Sequence, residues 1–167
     1  MGLKLHVGCG SDIKTGYVNI DEFDPHADLQ IAIQALDYPS NSIECIEGYM
    51  VLAHLSRHDA LSFIRNSYRM LQPGGKVILE CPDIAKVARL TLMFANDPEY
   101  LDKGIFGLRG VYGEPTNHMT EGDYPKWGYT TSTAMELMKE GGFTNIVISD
   151  GISHYCPIRD MRIEATK

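Results

Sequence analysis

The sequence predicts an α/β fold: a single mainly parallel, doubly wound sheet with helices between its strands. Three observations carry that prediction. Short apolar runs of strand length alternate with longer runs whose apolar residues recur at helical spacing. A glycine turn, Gly8-Cys9-Gly10, follows the first apolar run directly. Each long helical run opens on a capping residue and closes on glycine, proline or both, or on a loss of pattern.

The first strand is Leu3 to Val7, which alternates and then runs into the glycine turn. Tyr17 to Ile20 reads as the second, ending at Asp21, and Ala27 to Ile31 as the third. Ile43 to Gly48 is the fourth. Gly75 to Cys81 is the most apolar strand, stopped by Pro82; Phe143 to Ser149 and Ile158 to Ala165 are two late strands. The first helix opens on the capping-box pattern Ser56-Arg57-His58-Asp59 and carries Ala60, Leu61, Ile64, Ser67, Tyr68 and Leu71 to an end at Pro73-Gly74-Gly75. A second starts near Asp83, its N-cap, and a third among Thr130 to Thr133, ending at Gly141-Gly142. Ten residues separate Gly10 from Asp21, and several belong to the second strand, so no full helix fits between the first two strands.

With 167 residues the chain has room for one core, and we read residues 1–167 as a single domain. Its formal net charge of -7 gives no bulk reason to hold a nucleic-acid backbone. No apolar run approaches the roughly 20 residues of a membrane span, and the start MGLKLHVGCG lacks the pattern of a secretory signal. Cys9, Cys45, Cys81 and Cys156 show no Cys-x-x-Cys spacing, and three sit in apolar runs as reduced, packed thiols. The expectation is a soluble, cytoplasmic protein. His54 and His58 stand four apart, but the capping box at Ser56 falls between them and no third ligand is evident, so no metal site is expected.

In parallel sheets of this kind ligands bind beyond the carboxyl ends of the strands, which is where Gly8-Cys9-Gly10 lies. The dinucleotide fingerprint needs a third glycine where Ile13 stands and a helix N-terminus for the pyrophosphate, so a nicotinamide enzyme is disfavoured. Gly74-Gly75-Lys76-Val77 fails as a phosphate loop at its last position. A ligand without phosphates, carrying a ribose and a cationic group, suits the turn better: glycines let backbone approach, and Asp21 offers a carboxylate for ribose hydroxyls.

Four blocks in order extend this reading: LHVGCG with GYVNID, ALDYPSNSIECIEGYMVLAHLS, MLQPGGKVILECPD and LMKEGGF. The chain thereby resembles the class I S-adenosylmethionine-dependent methyltransferases, in particular the small methyltransferase-type-11-like proteins. The resemblance implies a Rossmann-like sheet whose last strand is antiparallel, and S-adenosylmethionine as cofactor. Carried onto this sequence, it implies cofactor contacts from Gly8, Cys9 and Gly10, from Asp21 at the ribose, and from Tyr49 and Met50 beside the methionine part. Where the family often has an acid for the adenine amine, this chain has Ala32-Ile33, so the contact falls to Ile33 backbone or to Asp37.

The acceptor side is expected in residues 96–130, read as a lid: with nothing ahead of the first strand, no other segment is available to cover the site. Aromatics there, among them Tyr112, Tyr124 and Trp127, alternate with glycines. They suit either an acceptor pocket or a loop held down by its own rings. His118 is the candidate general base for a hydroxyl acceptor; the alternative is a loop histidine without a chemical role. Glu80 and Asp83 flank the end of the fifth strand, with Asp83 also placed to cap a helix. The expected function is methyl transfer to a small-molecule or sugar-like acceptor; the alternative is a non-catalytic, cofactor-binding or scaffold module.

Overall fold

A computed structural model of the chain describes residues 2–97, 124–153 and 156–167. Among these residues seven strands form one sheet: β1 (Leu3–Val7), β2 (Val18–Asp21), β3 (Leu29–Gln30), β4 (Ile43–Tyr49), β5 (Leu71–Pro82), β6 (Asn145–Asp150) and β7 (Asp160–Thr166). Their order is β3-β2-β1-β4-β5-β7-β6. The pairs from β3 to β5 are parallel, and β7 runs antiparallel to both β5 and β6. The sheet is thus mainly parallel with an antiparallel last strand, as expected.

Among the described residues the α-helices are α1 (Arg57–Met70), α2 (Ile84–Met93) and α3 (Thr131–Glu140). All three open on the residues that the sequence nominates. Ser56 accepts from the Asp59 amide, Asp83 from the Ala85 amide, and Thr130 with Thr133 forms a full capping box. Ala60, Phe63 and Ile64 of α1 and Ala134, Leu137 and Met138 of α3 join Leu5, Val7, Ile20, Ile46, Leu79 and Ile163 of the sheet in one core. Helix α1 ends at Met70, before Pro73, because Leu71 already pairs with Ile43. The register then slips, and regular pairing resumes at Cys45 with Lys76. Gly74, at φ 79°, and Gly75, where a Cβ would meet Gln72 O at 2.9 Å, make that bulge. The third strand is shorter than expected, two residues at the sheet edge.

Strand side chains alternate between faces. The residues opposite the core are polar over much of the sheet: Lys4 and His6 on β1, Asn19 on β2, Cys45, Glu47 and Tyr49 on β4, Glu80 on β5, Arg162 and Glu164 on β7. Among the described residues, turns and no helix connect β1 to β2 and β2 to β3. The predicted absence of a first crossover helix is therefore observed.

Side chains occupy the place that the helix would take. Lys14 Nζ lies 2.6 Å from Glu47 Oε2 and donates to Tyr49 Oη at 2.9 Å. Tyr17 donates to the other Glu47 oxygen, and Tyr49 Oη donates to Oε2 at 2.8 Å. Asn19 Oδ1 accepts from the Lys14 amide at 2.8 Å, which pins the loop to β2. Burial alone would raise the Glu47 pKa, but the Lys14, Tyr17 and Tyr49 donors outweigh it and hold the carboxyl down at about 2.

Candidate cofactor site

Strands β1 and β4 are parallel neighbours, and the chain leaves β1 toward β2 on one side of the sheet while β4 continues it on the other. The crevice at their carboxyl ends is the switch point where open α/β sheets hold ligands. A cavity of about 1080 Å³ lies there, lined by the loops after β1, β2, β3 and β4.

Gly8 and Gly10 both line it, with positive φ of 61° and 48°. They are glycines for different reasons. A Cβ on Gly8 would stand 2.6 Å from Val51 Cγ2, so this position is closed by the protein itself. A Cβ on Gly10 would meet nothing within 4 Å, so its bare backbone faces open space. Cys9 between them is buried, and its amide donates to Ile20 O at 3.1 Å. Burial, with the Asp21 charge, pushes its thiol up to about 11, a reduced packing thiol and not a nucleophile.

Asp21 lines the cavity at the end of β2. Its Oδ2 accepts from the Gly10 amide at 2.9 Å, and Oδ1 from the Phe23 and Asp24 amides at 2.9 and 3.0 Å. Burial works to raise its pKa, yet these amides hold it below the usual carboxylate value. A carboxylate has about four acceptor positions. Three are taken, so Asp21 has room for one further donor.

Ile33 lines the cavity from the 3-10 turn Ile33–Ala35, joined by Gln34. Asp37 does not line it. Its exposed carboxylate pairs with Arg69 Nη2 at 2.8 Å, away from the residues that line the cavity. Tyr49 and Met50 both line the cavity. Met50 holds a left-handed backbone, φ 63°, and its amide donates to Glu80 O at 2.8 Å, tying the turn after β4 to β5.

Glu80 and Asp83 have structural duties. Glu80 is fully buried, paired with Arg162 Nη1 at 2.8 Å and accepting from the Ile152 and Ser153 amides. Asp83 caps α2. His118 and most of the expected lid lie outside the described residues. Of its described part, Tyr129 is core, whereas Tyr124 and Trp127 are about half exposed. Sequence reasoning left several lining residues unassigned, Gln34, His54 and Lys126 among them. His54 drew notice only as a metal candidate; among the described residues no group of three or more His, Cys, Asp or Glu is placed to hold a metal ion.

A family model described as a methyltransferase domain matches residues 9–79. No curated protein sequence matches the chain. Among solved structures, an S-adenosylmethionine-dependent methyltransferase from Thermotoga maritima aligns with TM-score 0.60 at 16% identity, covering 100% of this chain and 83% of that one. One from Archaeoglobus fulgidus aligns with TM-score 0.64 at 13% identity, covering 99% and 86%. The 1,6-didemethyltoxoflavin-N1-methyltransferase of Burkholderia thailandensis, solved with its acceptor and S-adenosylhomocysteine, aligns with TM-score 0.63 at 12% identity, covering 99% and 70%. The matched model begins inside the glycine turn and ends within β5, so this part of the chain is similar to a methyltransferase domain, and the seven-stranded sheet around it shares the Rossmann-like fold of the solved S-adenosylmethionine-dependent methyltransferases.

Proposed function

We propose that the protein binds S-adenosylmethionine in the cavity at the carboxyl ends of β1 and β4 and transfers its methyl group to a small-molecule acceptor. The observation that carries this reading is the pairing of Gly10 with Asp21. One residue presents bare backbone to open space, and the other, 2.9 Å from its amide, keeps one acceptor position for a ligand hydroxyl. The lining fits the cofactor in charge as well. Asp12, Asp21, Glu22 and Asp24 face a ligand whose sulfonium and ammonium are positive, with one lysine among them. The neighbour from Burkholderia thailandensis, with S-adenosylhomocysteine bound, supports the same reading through its fold.

When bound, the cofactor supplies a methyl group on a sulfonium, open to in-line attack by an acceptor lone pair. The protein's residues bind and orient. Gly8 and Gly10 shape the floor, Asp21 takes a ribose hydroxyl, and Ile33 with Gln34 offers a flat apolar and amide edge to the base. Tyr49 and Met50 bound the methionine end. Tyr49 is held from behind by Glu47 and Lys14, so its ring cannot swing freely.

Calorimetry with S-adenosylhomocysteine tests the site, with micromolar affinity expected; no binding at millimolar ligand refutes it. Production of S-adenosylhomocysteine from S-adenosylmethionine across a panel of hydroxyl, amine and carboxylate acceptors tests transfer. Binding without turnover on any acceptor would favour a non-catalytic module, a reading motivated by the missing first crossover helix.

A further inference from the structure

The cavity is electrostatically polarised. On the β2 side stand Asp21, Glu22 and Asp24. The strand order puts β4 on the opposite side of β1, and there the turn Val51–His54 leads the lining. Lys126 belongs to this second side. Its amide and that of Trp127 both donate to Ala53 O, at 2.8 and 3.2 Å, so the segment is fastened to the turn after β4 by backbone alone. The side chain is left free to serve the cavity that it lines. Among the described residues it is the only lysine or arginine in that lining, and no carboxylate pairs with it. Three other cations among the described residues are committed elsewhere: Lys14 to Glu47, Arg159 to Asp160 and Arg162 to Glu80.

The geometry points to Lys126 as the residue that receives an anionic group, carboxylate or phosphate, at the β4 side of the cavity. This inference rests on the cofactor reading above. The acids on the β2 side repel an anion, so a ligand with a ribose at Asp21 and a negative group elsewhere is oriented with that group toward Lys126. Two sources supply the same chemistry: the cofactor's own α-carboxylate, or an acid group on the acceptor. A lysine suits either, because its ammonium is a compact point charge on a long stem that does not demand one approach angle.

Trp127 is the chain's single tryptophan and is about half exposed, so its fluorescence reports on the neighbouring residue without a label. Wild type and Lys126→Met are titrated with S-adenosylhomocysteine, with 5′-methylthioadenosine, which lacks the carboxylate, and with inorganic phosphate on protein saturated with S-adenosylhomocysteine. Because the segment is anchored by backbone bonds, the methionine variant keeps its fold, which its melting temperature verifies. If the cofactor carboxylate is the partner, affinity for S-adenosylhomocysteine falls at least about tenfold and that for 5′-methylthioadenosine is unchanged. If the acceptor is the partner, both nucleosides bind normally and the phosphate response of the saturated wild type vanishes in the variant. Lys126→Arg retains the response in either case. A methionine variant that matches wild type with all three probes overturns the assignment. Failure of wild type itself to bind either nucleoside refutes the cofactor reading instead, and phosphate on the ligand-free protein then decides the role of Lys126 alone.

Discussion

Lys14 Nζ stands 2.6 Å from Glu47 Oε2 where a parallel crossover ordinarily places its first helix. Residues from a ten-residue loop and from the middle of β4 thus do with side chains what a helix does with an apolar stripe. His6 lies against the same group, its ring 5.7 Å from that of Tyr49. Burial and then the Lys14 charge lower its pKa.

The signs of these shifts predict how the loop responds to acid. Glu47 has its carboxyl depressed to about 2, so its stabilisation is complete above the ordinary value of about 4.3 and is lost as pH falls toward 2. His6 is depressed as well, so its contribution is complete above about 6.5 and declines as pH falls below that. Melting temperature against pH should therefore fall in two stages. Glu47→Gln should lose about 1–3 kcal/mol at neutral pH, below the cost of breaking a wholly buried pair, and should lack the lower stage. A variant whose acid profile superimposes on wild type would mean that Glu47 does not organise the loop.

Gly8 and Gly10 should separate folding from binding. In Gly8→Ala the new Cβ collides with Val51, 2.6 Å away, in a backbone region that costs an alanine about 1–2 kcal/mol by itself. Its melting temperature should drop sharply. Gly10→Ala bears only the backbone cost, since nothing lies within 4 Å, yet its methyl stands where a ligand must approach. Its fold should survive while S-adenosylhomocysteine binding weakens by tenfold or more. Equal binding by wild type and Gly10→Ala would move the ligand off this turn.

Asp21 serves two purposes, and two substitutions divide them. Asp21→Ala removes the acceptor for three backbone amides together with the ribose contact, so stability and affinity should both fall, the affinity at least about tenfold. Asp21→Asn keeps one oxygen for the Phe23 and Asp24 amides but turns an NH2 toward Gly10. It should retain most of the stability and still bind poorly. Calorimetry and thermal melts on both variants decide; tight binding by the asparagine variant would remove Asp21 from the ribose.

Most of the fold was legible because its signals are local. Ser56, Asp83 and Thr130 cap their helices within three residues, and Gly8 and Gly10 reveal their turn by being glycine. What escaped is what depends on residues far apart. The pairing of Asp37 with Arg69, 32 positions on, could not be read from either residue's neighbours. Glu47 and Lys14 gave no sign of each other across 33 positions. Lys126 was overshadowed by the aromatic residues beside it, because only the folded chain brings residue 126 to Ala53. The end of α1 was misplaced for the same reason: Leu71 continues a helical pattern, but its pairing with Ile43 prevails.

Met50 offers the sharpest separation of stability from function. It is one of two non-glycine residues with positive φ among the described residues, and the other, Asn41, is of a type that tolerates that region. An unbranched side chain is being held at 63° at the edge of the cavity, with its amide committed to Glu80 O. Strain of this kind persists where the surroundings impose it, and it concentrates at ligand sites. Met50→Gly removes the steric penalty, about 1–2 kcal/mol, offset in part by the greater freedom of glycine when unfolded. The variant should melt no lower than wild type. It also deletes the side chain that bounds the methionine end of the cavity, so affinity for S-adenosylhomocysteine should fall about fivefold to fiftyfold, the worth of roughly 1–2.3 kcal/mol of lost contact. Met50→Val places a branched carbon in the same backbone and should lower the melting temperature. If Met50→Gly binds S-adenosylhomocysteine as tightly as wild type, the methionine side chain is no part of the site and the strained turn serves only to join β4 to β5.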